Sequence, residues 1–135
     1  ETVVCVTGEG SIQMNIQELA TLVQDKIPVK IIILNNSFLG MVRQWQELFY
    51  DNNYVDTPLV NPDFSAVGNA YGVPSFLATT IEETKEVLEK MKNYNEGPIL
   101  CEFRLEKEEN VFPMVPAGES LGGTKLDPTN VIDQK

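Results

Sequence analysis

The sequence predicts an α/β domain built on a doubly wound parallel sheet with helices on both faces. Short apolar runs alternate with segments whose apolar residues recur at helical spacing, which indicates repeated strand–helix units. The run "VKIIILNN", residues 29–36, is continuous and rich in β-branched residues, as central parallel strands are. The 135 residues suffice for one such domain. We expect residues 1–105 to form the domain and residues 106–135 to form a C-terminal tail.

Two strand–helix units are predicted in the first half of the chain. Val3 to Val6 are expected to form a short, fully buried strand. An amphipathic helix follows, with Asn15 and Glu18 placed as a capping box, and Pro28 closes this region. Its apolar face is expected to contain Ile12, Ile16, Leu19 and Val23. After the second strand, residues 29–36, a further helix is predicted from the spacing of Met41, Trp45, Leu48 and Phe49.

The second half of the chain predicts two more strands. Before the first of them, a short helix is expected with Asn61 as its N-cap, Pro62 at its first position and Gly72 as its stop. The strand "PSFLATT" then leads into a helix with a capping box of Thr80 and Glu83. The inner face of that helix is predicted to hold Ile81, Thr84, Val87, Leu88 and Met91. "GPILCEFRL" is the last predicted strand, and the segment after it has no periodicity, which favours a flexible tail.

Composition excludes several classes of function. Lys plus Arg number 10 against 20 for Asp plus Glu, so the formal net charge of −10 argues against nucleic-acid and anionic-membrane partners. No apolar run approaches the roughly 20 residues that span a bilayer, and the chain starts without a signal-peptide pattern. Cys5 and Cys101 lie in apolar runs and are expected to be buried free thiols, which favours a reducing, cytoplasmic location. The start of the chain within a strand, without Met, predicts a piece of a longer protein.

Two polar clusters follow neighbouring predicted strands and indicate a ligand site. Gly8-Glu9-Gly10-Ser11 follows the first strand, and Asn35-Asn36-Ser37 ends the second. In open α/β sheets, ligands bind at the carboxyl ends of the strands. Small residues there let backbone N–H groups approach a phosphate, and Mg²⁺ could bridge that phosphate to the Glu9 carboxylate and the Asn36 amide oxygen. A plain glycine turn and a plain Asn-Asn turn remain the alternative.

The same residues resemble a known family. Gly8-Glu9-Gly10 followed by Asn35-Asn36 is similar to the thiamine diphosphate binding motif, which runs from Gly-Asp-Gly to Asn-Asn. "SIQMNIQELATLVQDKIPVKIIILNNSFLGMVRQWQELFY" and "VFPMVPAG" resemble the catalytic large subunit of acetolactate synthases. The resemblance covers most of residues 3–118 and implies the C-terminal part of the thiamine diphosphate-binding fold, truncated at its N-terminal side. It also implies thiamine diphosphate and Mg²⁺ as cofactors.

The resemblance implies a role for several residues of this chain. Glu9, Asn36 and the backbone carbonyl of Phe38 match the metal ligands. The cofactor contacts are matched by Gly8, Gly10, Ser11, Leu39, Gly40 and Met41. Residues lining the mouth of the substrate channel are matched by Met41, Trp45 and Ala117, although core packing of an amphipathic helix also explains Met41 and Trp45. No catalytic residue is expected in this chain, because the family's activating acid lies in another domain and comes from a second subunit.

The resemblance further implies a transferase of branched-chain amino-acid synthesis. The family decarboxylates pyruvate and joins the two-carbon unit to a second 2-keto acid, and the isolated chain is expected to be inactive. The implied partners are 2-keto acids, a second catalytic subunit and a possible regulatory subunit. Glu9 departs from the family's Asp, and its arm is longer by about 1.5 Å. Another thiamine diphosphate-dependent carboligase or decarboxylase, or a non-catalytic assembly module that has lost the metal, are the alternatives.

Overall fold

Four parallel strands form one sheet in the part of the chain that the structure describes. The computed structural model describes residues 1–127. The strands are β1 (Val3–Gly8), β2 (Val29–Asn35), β3 (Ser75–Ala78) and β4 (Ile99–Arg104). Their spatial order is β1-β2-β4-β3, and every neighbouring pair is parallel. The predicted parallel α/β sheet is therefore confirmed.

Five α-helices connect or follow these strands in the described part of the chain. They are α1 (Glu9–Gln13), α2 (Glu18–Gln24), α3 (Gly40–Phe49), α4 (Phe64–Ala70) and α5 (Ile81–Asn93), and a 3₁₀ turn covers Leu121–Gly123. Within residues 1–127, we find no helix with the length and apolar character needed to cross a membrane.

The two faces of the sheet each contribute to a separate apolar core. One core packs α2 and α4 against one face, and its buried members are Leu19, Val29, Ile31, Ile33, Phe64, Val73 and Leu100. The other packs α5 against the opposite face through Ala78, Val87, Met91, Ile99, Cys101 and Phe103. Side chains alternate along β4 because successive residues of a strand point to opposite faces. Helices on both faces make the sheet doubly wound, as predicted.

The predicted burial of β1 is wrong. Val3, Val4 and Val6 are 60%, 50% and 60% exposed, and Cys5 is exposed as well. The reason is topological: among residues 1–127, β1 has β2 as its one neighbouring strand, which makes it an edge of this sheet. An apolar run predicts a strand but does not say whether the strand lies at the centre or at an edge. Of the two cysteines, only Cys101 is buried as expected.

The first predicted helix is two helices, and its predicted capping box is wrong. Gln17 precedes α2 and makes no side-chain cap hydrogen bond, whereas the backbone carbonyl of Asn15 accepts from the Glu18 N–H at 3.1 Å. The chain between α1 and α2 is held by successive bonds between residues three apart, which interrupt the α-helical pattern. The apolar spacing survives this break: Leu19 is buried, and Ile12, Ile16 and Val23 pack against the same core.

The N-cap of α4 is also corrected. Asp63 caps the helix, with its Oδ1 accepting from the Ala66 N–H at 2.9 Å, instead of Asn61. Gly72 ends this region with φ of 83°, as expected for a stop residue. The capping box of Thr80 and Glu83 at α5 is confirmed.

The apolar face of α5 is narrower than predicted. Val87 and Met91 are buried, but Ile81 and Leu88 are 69% and 42% exposed. Spacing of three or four residues predicts an apolar stripe, but only Val87 and Met91 of that stripe are buried here.

The described part of the C-terminal segment, residues 106–127, lies against α3. The Gln44 side chain donates to the Val111 carbonyl and accepts from the Val111 N–H, both at 2.9 Å. Asn110 donates to Glu47 at 2.7 Å, and Met114 pairs with Lys125 in an isolated antiparallel bridge. These bonds attach residues 110 and 111 to α3, and the flexible tail expected from the composition of this segment stays a prediction. The rest of the predicted tail, residues 128–135, lies outside the described residues.

Candidate functional site

The two polar clusters meet at the carboxyl ends of β1 and β2. Gly8 pairs with Leu34 in the sheet, so the residues that follow each strand begin side by side. A cavity of about 390 Å³ opens between them. Its lining consists of Gly8, Glu9, Gly10, Ser11, Met14, Leu34, Asn36, Phe38, Leu39, Gly40 and Leu105. Of the predicted cofactor and metal residues, all but Met41 line this cavity.

The two predicted side-chain metal ligands converge on one backbone group. Glu9, the first residue of α1, is only 3% exposed, and its Oε1 accepts from the Phe38 N–H at 3.0 Å. Asn36 Oδ1 accepts from the same N–H, also at 3.0 Å. A carboxylate oxygen and an amide oxygen are thus brought together beside the cavity. Carboxylate and amide oxygens are ligands that Mg²⁺ takes.

A tight turn after β2 produces this convergence. Ser37 adopts φ of 62°, a left-handed conformation that non-glycine residues rarely occupy. Asn35, with no exposed surface, stabilises the turn by accepting from the Ser37 N–H through its Oδ1 at 2.9 Å. The Leu39 N–H donates to the Thr57 carbonyl, and the Leu59 N–H donates to the Ser37 carbonyl. These two bonds attach the turn to the loop before α4.

Two glycines fit the cavity because a larger residue would crowd it. A Cβ on Gly10 would lie 3.3 Å from side-chain carbons of both Leu39 and Leu59. A Cβ on Gly40 would lie 3.0 Å from the Asn36 Nδ2 and would press on that amide. Among residues 1–127 there is no group of three or more His, Cys, Asp or Glu side chains that could hold a metal. A cation held here would therefore need further oxygens besides the Glu9 carboxylate: the Asn36 amide, backbone carbonyls and oxygens of a ligand.

The residue that sequence reasoning missed is Glu102. This carboxylate of β4 is 1% exposed, and its Oε1 accepts from the Asn35 Nδ2 at 2.6 Å. It also pairs with the Arg104 Nε at 3.0 Å. The available signal was a carboxylate within the otherwise apolar run "ILCEF", since acids are rarely buried without a partner.

The predicted channel residues Met41 and Trp45 lie in a second depression, on α3. This groove of about 480 Å³ is lined by Met41, Val42, Trp45, Gln46, Tyr50, Asn53 and Val55. Trp45 contacts Phe49 edge to face, with ring centroids 5.3 Å apart. Met41 is 53% exposed, so core packing does not explain it. Ala117, the third predicted channel residue, is exposed and is not among the residues that line this groove.

The polarity of α3 is inverted relative to that of an ordinary surface helix. Its buried residues are Arg43 and Gln44, whereas Met41 and Val42 are exposed. The Arg43 guanidinium lies over the Tyr54 ring at 4.7 Å and pairs with Glu47 at 3.1 Å. Polar contacts and cation–π contacts therefore hold the inner face, and the apolar face is left to form the groove.

Comparison with known proteins identifies the fold family. The model for the thiamine pyrophosphate enzyme, C-terminal TPP binding domain, matches residues 1–103. The chain belongs to this family. Thiamine pyrophosphate is another name for thiamine diphosphate, so the family places these strands and turns in a domain type that binds that cofactor.

Several curated relatives are acetolactate synthase large subunits. Isozyme 2 of Escherichia coli (strain K12) is 43% identical over 121 residues, covering 89% of this chain and 22% of the relative. The large subunit of Cyanidium caldarium is 39% identical over 131 residues (93% and 22%), and that of Haemophilus influenzae is 42% identical over 121 residues (89% and 21%). The resemblance noted in the sequence is confirmed. The chain spans about a fifth of the length of these relatives.

Proposed function

We propose that this chain forms the diphosphate-binding end of a thiamine diphosphate- and Mg²⁺-dependent acetolactate synthase. The observation that carries the proposal is the convergence of the Glu9 and Asn36 oxygens on the Phe38 N–H beside the cavity. Because a carboxylate and an amide oxygen leave room for oxygens from a ligand, they suit a hydrated Mg²⁺ that is shared with a diphosphate. The family match and the acetolactate synthase relatives support the same assignment.

In this proposal, each part of the site has a separate role. Glu9, Asn36 and the backbone carbonyl of Phe38 hold the cation. The diphosphate lies against Gly8, Gly10, Ser11, Leu39 and Gly40, which line the cavity. When bound, the cofactor would supply the carbon nucleophile needed for decarboxylation of a 2-keto acid and transfer of the two-carbon unit. This chain anchors the charged end of the cofactor and so fixes the position of its reactive end.

The α3 groove is proposed to be part of the route by which 2-keto acids approach. Met41 and Trp45 present an apolar surface there, and Met41 follows Gly40 of the cofactor cavity directly in the chain. Ala117 is proposed to join this route in the assembled enzyme. The proposed partners are a second catalytic subunit, which contributes the activating acid, and a possible regulatory subunit. The proposed pathway is branched-chain amino-acid synthesis in the cytoplasm.

A non-catalytic module remains the second candidate, and one observation favours it. Glu9 is a Glu where the resemblance implies Asp, and its carboxylate accepts a hydrogen bond from the Phe38 N–H. In that case the motif would keep the family's turn and lose the cation.

Calorimetric titration of thiamine diphosphate into the complete subunit at fixed Mg²⁺ distinguishes the two candidates. Glu9→Ala and Asn36→Ala should each weaken binding by about tenfold or more, because loss of a residue that merely orients a metal ligand already costs about 10–100-fold in affinity. Glu18→Ala is the matched control, because it removes an exposed carboxylate from the neighbouring helix α2. If the parent, the two ligand variants and the control all fail to bind thiamine diphosphate, the non-catalytic module is supported and the proposal is refuted.

A further inference from the structure

The buried carboxylate of Glu102 lies on β4, and its hydrogen bond and ion pair are made with Asn35 and Arg104. Its Oε1 accepts from the Asn35 Nδ2 at 2.6 Å and pairs with the Arg104 Nε at 3.0 Å. A buried charge is costly unless it is paired and hydrogen-bonded, and both conditions are met here. The Arg104 side chain is 42% exposed, so Asn35 is the buried partner of this carboxylate.

Glu102 determines which way the Asn35 amide faces. An ionised carboxylate only accepts hydrogen bonds, so the Asn35 NH₂ group must face it and the amide oxygen must face away. That oxygen accepts from the Ser37 N–H at 2.9 Å and from the Asn61 Nδ2 at 3.2 Å. With the amide reversed, NH₂ would meet N–H at the turn and both bonds would be lost.

The same amide oxygen links both segments that carry the proposed ligands. On one side it holds the Ser37 turn, which brings the Phe38 N–H to Asn36. On the other side, the Asn61 Oδ1 accepts from the Gln13 Nε2 at 3.2 Å. The same Gln13 Nε2 donates to the Glu9 carbonyl at 3.1 Å. The network therefore runs from β4 through β2 to both ends of α1.

We propose that Glu102 is a positioning residue: by fixing the Asn35 amide, it sets the turn on which Glu9 and Asn36 converge. The inference deepens the proposed function and rests on it for its metal-binding consequence. The claim that Glu102 holds the turn after β2 concerns this chain alone, so hydrogen exchange without any ligand can test it.

The sharpest test is an exchange of donor and acceptor between positions 35 and 102. Asn35→Asp alone places two carboxylates against each other and should disrupt the pair. Adding Glu102→Gln supplies an NH₂ group to the new carboxylate, which can still accept from the Ser37 N–H and from Asn61. Glu102→Leu removes the acceptor altogether. Lys30→Met is the control, because Lys30 is also a buried charge of the sheet but bonds to Tyr94 and Asn95.

Two measurements on the complete subunit apply to these variants. Hydrogen–deuterium exchange of peptides spanning residues 33–41, without ligand, reports the turn. Thiamine diphosphate binding across a Mg²⁺ series reports the metal site. Asn35→Asp and Glu102→Leu should speed exchange and raise the Mg²⁺ needed for half-saturation by about tenfold or more. Both quantities should return to within about threefold of the parent in the double variant, because the effects of substitutions at contacting residues are not additive. Lys30→Met should change neither measurement.

Each outcome decides a separate point. If the double variant is as impaired as Asn35→Asp, or if Glu102→Leu exchanges at the parental rate, the positioning role is overturned. If the parent protein binds no thiamine diphosphate, the proposed function fails, and rescue of slow exchange by the double variant still decides whether Glu102 holds the turn. Should Glu102→Leu fail to fold, the exchanged pair gives the same answer.

Discussion

Glu9→Asp introduces the shorter arm that the sequence resemblance implies for this position. In the present structure the Glu9 Oε1 lies 3.0 Å from the Phe38 nitrogen. Removing one methylene shortens the arm by about 1.5 Å, and we expect this to take the carboxylate beyond hydrogen-bond range of that nitrogen. The Phe38 N–H keeps its second acceptor, Asn36 Oδ1 at 3.0 Å. Without ligand, the loss of stability should therefore stay within about 0.5–1.5 kcal/mol, the net contribution of one hydrogen bond.

With Mg²⁺ and thiamine diphosphate present, the effect of Glu9→Asp should reverse. Retraction of the carboxylate from the Phe38 N–H opens space between it and Asn36, where a cation must keep oxygen distances of roughly 2.0–2.1 Å. We expect binding to tighten by about 1–2 kcal/mol, or roughly five- to thirtyfold in Kd. Glu9→Ala should move Kd the other way, since the cation then loses a charged ligand.

The assay combines two curves for each protein. Mg²⁺ titrations at fixed thiamine diphosphate give Kd for the parent, Glu9→Asp and Glu9→Ala, all in the complete subunit. Urea unfolding without ligand gives the stability of the same three proteins. Glu9→Asp should be slightly less stable than the parent and yet bind more tightly. Three superimposable binding curves would refute the reasoning, because Glu9 would then be only a residue of a glycine turn.

Three further predictions concern the rest of the chain. Gln44→Leu removes both hydrogen bonds to Val111 and should speed proteolysis of residues 106–127 while leaving the sheet intact; an unchanged digestion pattern would contradict this. At pH 8 a thiol reagent should modify the exposed Cys5 at once but reach Cys101 only on unfolding, because burial raises the pKa of the Cys101 thiol to about 12. Phe64→Ala should cost about 3–5 kcal/mol in urea unfolding, as Phe64 is fully buried in the larger core.

The sheet could be predicted from the sequence because strands and helices alternate with distinct periods. Runs such as residues 29–36 and the capping box at Thr80 carry their signal locally. The burial of β1 could not be predicted, because it depends on which strands neighbour it in space. The break between α1 and α2 is equally hidden, since the apolar spacing continues across it and only the backbone bonds change.

The location of the candidate site could be predicted from the sequence, but the buried residue that holds its turn in place could not. The spacing of Glu9 and Asn36 located the cavity, since both follow strands that end at the same edge. Glu102 lies far along the chain, and only the pairing of β2 with β4 brings it to Asn35. The orientation of α3 was likewise unpredictable, because its buried face is polar and the amphipathic pattern indicates the opposite face as the buried one.

The inverted polarity of α3 affects how its sequence can change. The residues that attach the helix, Arg43 and Gln44, are not the residues that line its groove. Substitutions of the exposed Met41 or Val42 therefore remove little buried contact, and their cost in folding free energy should be small. The shape and chemistry of the groove can change through single substitutions while the fold stays intact. Substitutions of Arg43 or Gln44, on the buried face of the helix, should be costly because each breaks a buried polar contact.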